Sequence, residues 1–170
     1  EKPIQQDRKN RILFPKVKSV EIHNKFPIRG EQVTLRKGEK ILLENCDFQF
    51  SLGKKIAIVG NNGTGKTTLL NHIVSNGEGI ILSPKVVFSM YRQMDYKFSE
   101  SKSILDYLME STNYSKAVVR SILSNLGFSQ LETGKSLTDL SGGESTRISL
   151  AAAFTEPSNI LILDEPTNFI

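Results

Sequence analysis

The sequence has no tryptophan, one cysteine and two histidines, and no apolar run approaching the roughly 18 residues that crossing a bilayer requires. Each shortage closes a class of function. The one thiol, Cys46, cannot form an internal disulfide, and its place in the apolar alternation Leu43 to Phe50 predicts a buried structural cysteine in a reducing, cytoplasmic setting. His23 and His72 lack the spacing and the cysteine partners of a structural zinc site. The polar start Glu1-Lys2-Pro3 has no hydrophobic signal region behind it, so no membrane insertion is expected. What is present, 170 residues at 38% hydrophobic content, suffices for one ordinary core.

The net charge of +4 raises the question of nucleic acid, and its position along the chain gives the answer. Of 22 basic and 18 acidic residues, six and two lie within residues 1–18, which leaves 16 of each in the rest. The body is therefore neutral, and the basic tail, residues 1–16, reads as a solvated linker. Residues 17–170 form the globular part.

Short stretches rich in β-branched residues, Val17–Ile22, Gln32–Leu35, Lys40–Leu43 and Cys46–Ser51, predict an antiparallel β layer. Lys55–Val59 predicts a short buried strand, followed by a glycine-rich loop and a helix over Lys66–Val74. Lys85–Met90 reads as a strand. Ser103-x-x-Asp106 predicts a capped helix start, and the apolar spacing of Val119, Ile122, Leu123 and Leu126 predicts a second helix closed by Gly127. A third helix is expected over Gly142–Phe154, then an all-apolar strand over Asn159–Leu163.

Gly60-Asn61-Asn62-Gly63-Thr64-Gly65-Lys66-Thr67 fits the pattern G-x-x-x-x-G-K-[ST] between an expected strand and an expected helix. Its glycines allow turns that aim backbone N–H groups inward, and the helix start adds its positive field, which makes an anion cradle. Lys66 is expected on β- and γ-phosphates, Thr67 on a magnesium ion and Thr68 on a phosphate. Asp164 and Glu165 end the last apolar strand. Asp164 is expected to reach the magnesium and Glu165 to polarise the attacking water. Between them lies Leu140-Ser141-Gly142-Gly143-Glu144, in which Ser141-x-x-Glu144 is a helix-capping pattern. Capping does not account for Gly142 and Gly143, which cost about 1 kcal/mol each in helix propensity. Close approach of a phosphate to that backbone does account for them.

The phosphate loop, Leu-Ser-Gly-Gly-Glu and the Asp-Glu-Pro-Thr strand end occur in the order of an ATP-binding cassette, a family that residues 17–170 resemble throughout. The resemblance implies an α/β P-loop NTPase with an N-terminal antiparallel β layer, a mostly parallel core sheet and a helical subdomain at about residues 99–140, lacking its C-terminal part. It also implies that Gln93 is the Q-loop glutamine, contacting magnesium and water. Ser141 to Glu144 would act in trans on ATP held by a second cassette. Glu144, and Asn168 after Pro166-Thr167, look like the ABC-F branch. The stretch Asp164 to Ile170 is especially similar to antibiotic-resistance members of the Vga, Lsa and Msr type, in their second cassette. That branch implies a soluble ATPase acting on the ribosome and its RNA.

Two departures are visible: the family's adenine-stacking aromatic is missing near Arg36-Lys37, and the later switch histidine lies beyond Ile170, so this piece is expected to bind ATP more readily than to turn it over. The competing readings are the ATPase subunit of a membrane transporter and a hydrolysis-silent, ATP-dependent interaction module. A coiled-coil repair-type cassette is excluded, since only 73 positions separate Thr67 from Leu140.

Overall fold

The computed structural model describes residues 21–92 and 97–166. They fall into two compact units: one holds the residues up to Arg92 together with those from Pro157 onward, the other runs from Lys97 to Glu156.

The first unit begins with a hairpin, β1 (Ile28–Lys37) and β2 (Lys40–Phe50), whose turn contains Gly38 at φ 60°. Residues Ile28, Gly30, Val33 and Leu35 of β1 are buried, a period-2 pattern broken by one extra residue at Glu31-Gln32. There Gln32 takes φ 50° and its N–H donates to Asp47 Oδ1 at 2.7 Å. A second irregularity puts Asn45 at φ 48°, its N–H donating to Thr34 Oγ1 at 3.1 Å. These bulges join stretches that the sequence suggests are separate strands. Gly30 is no break, because it sits where a Cβ would overlap the Phe48 ring. β3 (Ile80–Leu82), which no sequence pattern announced, pairs antiparallel with the start of β1 and completes a three-stranded sheet.

α1 (Lys66–Val74) packs Ile73 and Leu69 onto a core of Ile28, Val33, Leu35 and Ile80. Burying such side chains contributes on the order of 1.5–3 kcal/mol apiece. The parallel pair β4 (Phe88–Arg92) and β5 (Ile160–Asp164) runs in register from Phe88↔Ile160 to Arg92↔Asp164. Asn159 clamps its start: Oδ1 accepts the Val87 N–H at 2.8 Å and Nδ2 donates to the Lys85 carbonyl at 2.7 Å.

Two expectations are corrected here, and a third falls mostly outside the described residues. Lys55–Val59 is not a strand: it has no ladder partner among the described residues, and Ile56 and Val59 are 48% and 88% exposed. An apolar run specifies a strand only where a neighbour supplies hydrogen bonds, and none of the described residues does so here. Of Val17–Ile22, residues 17–20 lie outside the described residues, and Glu21 and Ile22 belong to no strand. Cys46 is half-buried rather than buried, its thiol donating to the Glu44 carbonyl at 3.4 Å: it shares a face with the buried Val33 opposite it, but on β2, which lies at the edge of the three-stranded sheet.

The second unit is helical. In α2 (Ile104–Ser111) the Ser103 hydroxyl accepts the Asp106 N–H, while Asp106 Oδ2 accepts the Ser103 O–H rather than its backbone N–H. α3 (Lys116–Asn125) ends in a Schellman motif: Gly127 has φ 84°, its N–H donates to Ser124 O, and the Phe128 N–H donates to Leu123 O. Two single 3-10 turns, Glu132–Gly134 and Leu137–Asp139, lead to α4 (Gly142–Thr155). Ile148, Leu150 and Ala151 of α4 are buried with Leu108, Val119 and Leu123, and the Thr112 hydroxyl ties the end of α2 to the Thr155 carbonyl at 2.9 Å. Among the described residues no helix is long and apolar enough to cross a membrane.

Candidate functional site

In the first unit the sequence from Gly60 to Thr68 folds as a tight loop running into α1. Gly63 and Gly65 take φ 77° and 104°, conformations that L side chains rarely adopt. Gly65 is doubly constrained, since a Cβ there would lie 2.8 Å from Leu42 Cδ1 of β2. Thr64 folds the loop back on itself, its hydroxyl donating to the Asn61 carbonyl at 2.8 Å. The Lys66 ammonium arches over the same turn, donating to the carbonyls of Gly60 and Asn61 at 2.9 and 3.0 Å. Asn61 and Asn62 are exposed.

The start of α1 differs from those of α2 and α4. Its N-cap is Gly65, no side chain caps it, and no acidic residue stands in its first turn. Four N–H groups at a helix start have no intrahelical acceptor, so this end is a concentration of donors without a built-in anion.

One long-range contact joins the two halves of the expected phosphate site. Thr67 Oγ1 donates to Asp164 Oδ2 at 2.8 Å across 97 positions of sequence. The α1 start and the C-terminal end of β5 thus meet side by side, hydroxyl to carboxylate. Asp164 is 7% exposed and has no cationic side chain within ion-pair distance among the described residues. A carboxylate so buried favours a cation beside it. Two hard oxygen donors in contact are the type of ligand that magnesium selects. Glu165, the next residue, is exposed and sits at φ 50°, a left-handed conformation that costs a non-glycine residue on the order of 1 kcal/mol. Gln93, Thr167 and Asn168 lie outside the described residues.

In the second unit, Ser141 to Glu144 form a complete capping box at the start of α4. The Ser141 hydroxyl accepts the Glu144 N–H at 3.3 Å, and Glu144 Oε2 accepts the Ser141 N–H at 2.7 Å. The Ser141 and Glu144 amides are thereby satisfied, so the first-turn donors left without an acceptor inside the helix belong to Gly142 and Gly143. Both glycines are exposed, and a Cβ on either would meet nothing within 4 Å. This chain's own packing does not require glycine at either position. Glu144 reaches back to Ser141 and is paired at the same time with Lys135, whose Nζ lies 3.0 Å from each of its oxygens.

Bonds from the Ser141 backbone N–H first, then from the Ser141 side chain and from Lys135, pull the Glu144 carboxyl down from 4.5 to about 2. A carboxyl lowered in the folded state stabilises the fold above its ordinary value and loses that contribution as pH falls toward the folded one. Stability is therefore expected to drop by about 2 kcal/mol between pH 5 and pH 3 from this group, at 1.4 kcal/mol per unit. Urea unfolding of the parent and of Glu144→Gln at the two pH values checks this. An equally steep decline in Glu144→Gln would place the acid sensitivity elsewhere.

Sequence reasoning missed two participants. Leu42 packs against Gly65 with no pattern to betray it, and Lys135, nine positions before Glu144, follows no helical spacing.

The family model described as ABC transporter matches residues 43–168. The chain belongs to the ABC transporter family. This cassette is 49% identical over 158 residues to the erythromycin resistance ATP-binding protein MsrA of Staphylococcus epidermidis, covering 92% of the chain and 32% of that protein. It is 33% identical over 143 residues to the ribosome protection protein VmlR of Bacillus subtilis, covering 82% of the chain and 26% of that protein. The cassette thus spans about a third or less of the length of these relatives, and within the family it resembles ABC-F cassettes of the Msr and Vga type. Among solved structures, a bacterial Atm1-family ABC exporter with ATP bound superposes with a TM-score of 0.68 at 18% identity, over 89% of this chain and 31% of that one. At that identity the likeness speaks for the fold alone.

Proposed function

We propose that this cassette binds and hydrolyses MgATP as part of a cytoplasmic protein that works on the ribosome and protects it from translation inhibitors. The Thr67–Asp164 contact carries the nucleotide part of the reading, because it brings the loop that suits phosphates to the carboxylate that suits their cation. The ribosomal part rests on the 49% identity to a protein named for erythromycin resistance and on the likeness to a ribosome protection protein.

In this reading the amides of Gly63 to Thr68 cradle the phosphates, and the Lys66 ammonium leaves the carbonyls of Gly60 and Asn61 for the β- and γ-phosphates. Thr67 and Asp164 would hold magnesium, which when bound neutralises charge on the phosphates. Glu165 takes a proton from the attacking water, with Gln93 as a further contact to water and magnesium. Gly142 and Gly143, with Ser141, offer donors to the γ-phosphate of ATP held by a second cassette. We take the helical subdomain as about residues 99–140, inside the helical unit that runs from Lys97 to Glu156. With no aromatic side chain at Arg36 or Lys37, base recognition falls to the Arg36 guanidinium.

Equilibrium binding of a fluorescent ATP analogue with magnesium, with phosphate release followed in the same sample, tests this. Lys66→Ala is expected to weaken binding roughly 10- to 100-fold, the worth of one or two charge-assisted hydrogen bonds. Binding without phosphate release by the parent would favour the hydrolysis-silent module. ATP-dependent co-sedimentation with ribosomes, absent in Lys66→Ala, tests the partner.

A further inference from the structure

Lys135 approaches α4 from a backbone that is held independently of that helix. Its carbonyl accepts the Ile104 N–H at 3.1 Å, its N–H donates to the Glu132 carbonyl at 3.0 Å, and Ser136 bridges to Ser103 at the start of α2. From that fixed root the ammonium reaches both oxygens of Glu144, with the two side chains 32% and 15% exposed. The neighbouring carboxylate Glu132 is occupied otherwise, accepting the Ser129 N–H at 2.7 Å. A partly buried pair of this kind is screened less than a surface one.

Two consequences follow for the start of α4. Glu144 Oε2 fixes the Ser141 N–H, so whatever holds Glu144 also sets the aim of the next two amides, those of Gly142 and Gly143. An unpaired Glu144 would also leave a negative charge one residue from donors that suit an anion, and Lys135 neutralises it.

We propose that Lys135 is a positioning residue for the Ser141–Gly143 turn, acting through Glu144 both to aim those amides and to cancel the carboxylate's charge beside them. This rests on the reading that the turn faces a phosphate.

The test compares the parent, Lys135→Ala, Lys135→Arg, Glu144→Gln and the double variant Lys135→Ala/Glu144→Gln in a protein holding this cassette beside a second one. Steady-state turnover and affinity of the phosphate loop for the fluorescent ATP analogue are measured for each. Lys135→Ala is expected to lose about tenfold in kcat with loop affinity unchanged, the size of one charge-assisted contact. Lys135→Arg should return to about twofold of the parent. The double variant should turn over faster than Lys135→Ala alone, since a side-chain amide in place of the Glu144 carboxylate keeps the cap and removes the stranded charge. Turnover in Lys135→Ala equal to the parent, or a double variant slower than the single one, overturns the proposal. Amide hydrogen exchange at Ser141 is read alongside: acceleration in Lys135→Ala, reversed in Lys135→Arg, is expected, and unchanged exchange overturns it. Should the parent bind no ATP, the functional reading fails while the exchange measurement still decides the role of Lys135.

Discussion

Replacing Glu165 by glutamine is expected to lower ATP turnover by about 10²- to 10⁴-fold, the usual contribution of a positioned general base, while leaving nucleotide affinity within about twofold. The expectation follows from what an amide retains and what it loses. The new side chain would keep the length and hydrogen-bonding reach of the old one, but it cannot take a proton from water. Asp164, one residue earlier, is buried against Thr67, so a carboxylate remains available for a cation while the exposed one disappears. The backbone sharpens the comparison. Glu165 is held at φ 50°, so Glu165→Gly should stabilise the fold by up to about 1 kcal/mol, yet abolish turnover as thoroughly as glutamine does. A base is thus distinguishable from a structural residue by the opposite signs of the two effects. Single-turnover phosphate release at saturating MgATP, in a protein holding this cassette beside a second one, gives the rate, and urea unfolding gives the stability. Turnover of Glu165→Gln within threefold of the parent would move the base to another group.

Gly143→Ala makes a second pair of effects with opposite signs. An alanine in the first turn of α4 finds open space and better helix propensity, so stability should hold or rise by up to about 1 kcal/mol. Turnover should fall by about 10²-fold, because a methyl group placed over the Gly142 and Gly143 amides keeps a phosphate from reaching donors of the kind whose individual loss costs 10²–10³ in rate. Loop affinity in the isolated cassette should not change, since the Lys66 loop is built within the compact unit that does not include Gly143. Thermal unfolding, analogue binding and turnover on one preparation separate the three quantities. A variant that loses stability along with activity would show that the glycine serves packing.

What could be read from the sequence divides by whether the signal was local. The helix over Lys66–Val74 and the closure at Gly127 emerge at the expected residues, because caps and glycine conformations are decided within a few positions. The capping box at Ser141 and Glu144 was visible for the same reason. The β layer was legible in kind but not in register. Bulges at Gln32 and Asn45 insert residues that break period-2 reading, so a two-stranded hairpin looked like three shorter strands. Lys55–Val59 has the composition of a strand but no ladder partner among the described residues, and partnership is not a local property. At the candidate site the Thr67–Asp164 meeting followed from motif order, but the Lys135–Glu144 pair did not. Its distance depends on how the turns at Glu132–Gly134 and Leu137–Asp139 fold back toward α4.

The serine side chains of Ser103 and Ser141 close α2 and α4, whereas α1, which like α3 has no side-chain cap, begins at a glycine that offers nothing to its first-turn amides. The uncapped start of α1 is an opening in the secondary structure as much as a candidate binding site. A triphosphate settling there would do for α1 what Ser103 and Ser141 do for their helices, and the ligand would complete the fold's own hydrogen bonding. Part of its binding free energy is then helix stability, drawn from the same donors. Nucleotide occupancy and the firmness of α1 become one variable. Whatever unfolds that helix, even from the Ile73 side facing the core, would weaken the grip on phosphate in proportion to the fraction no longer formed.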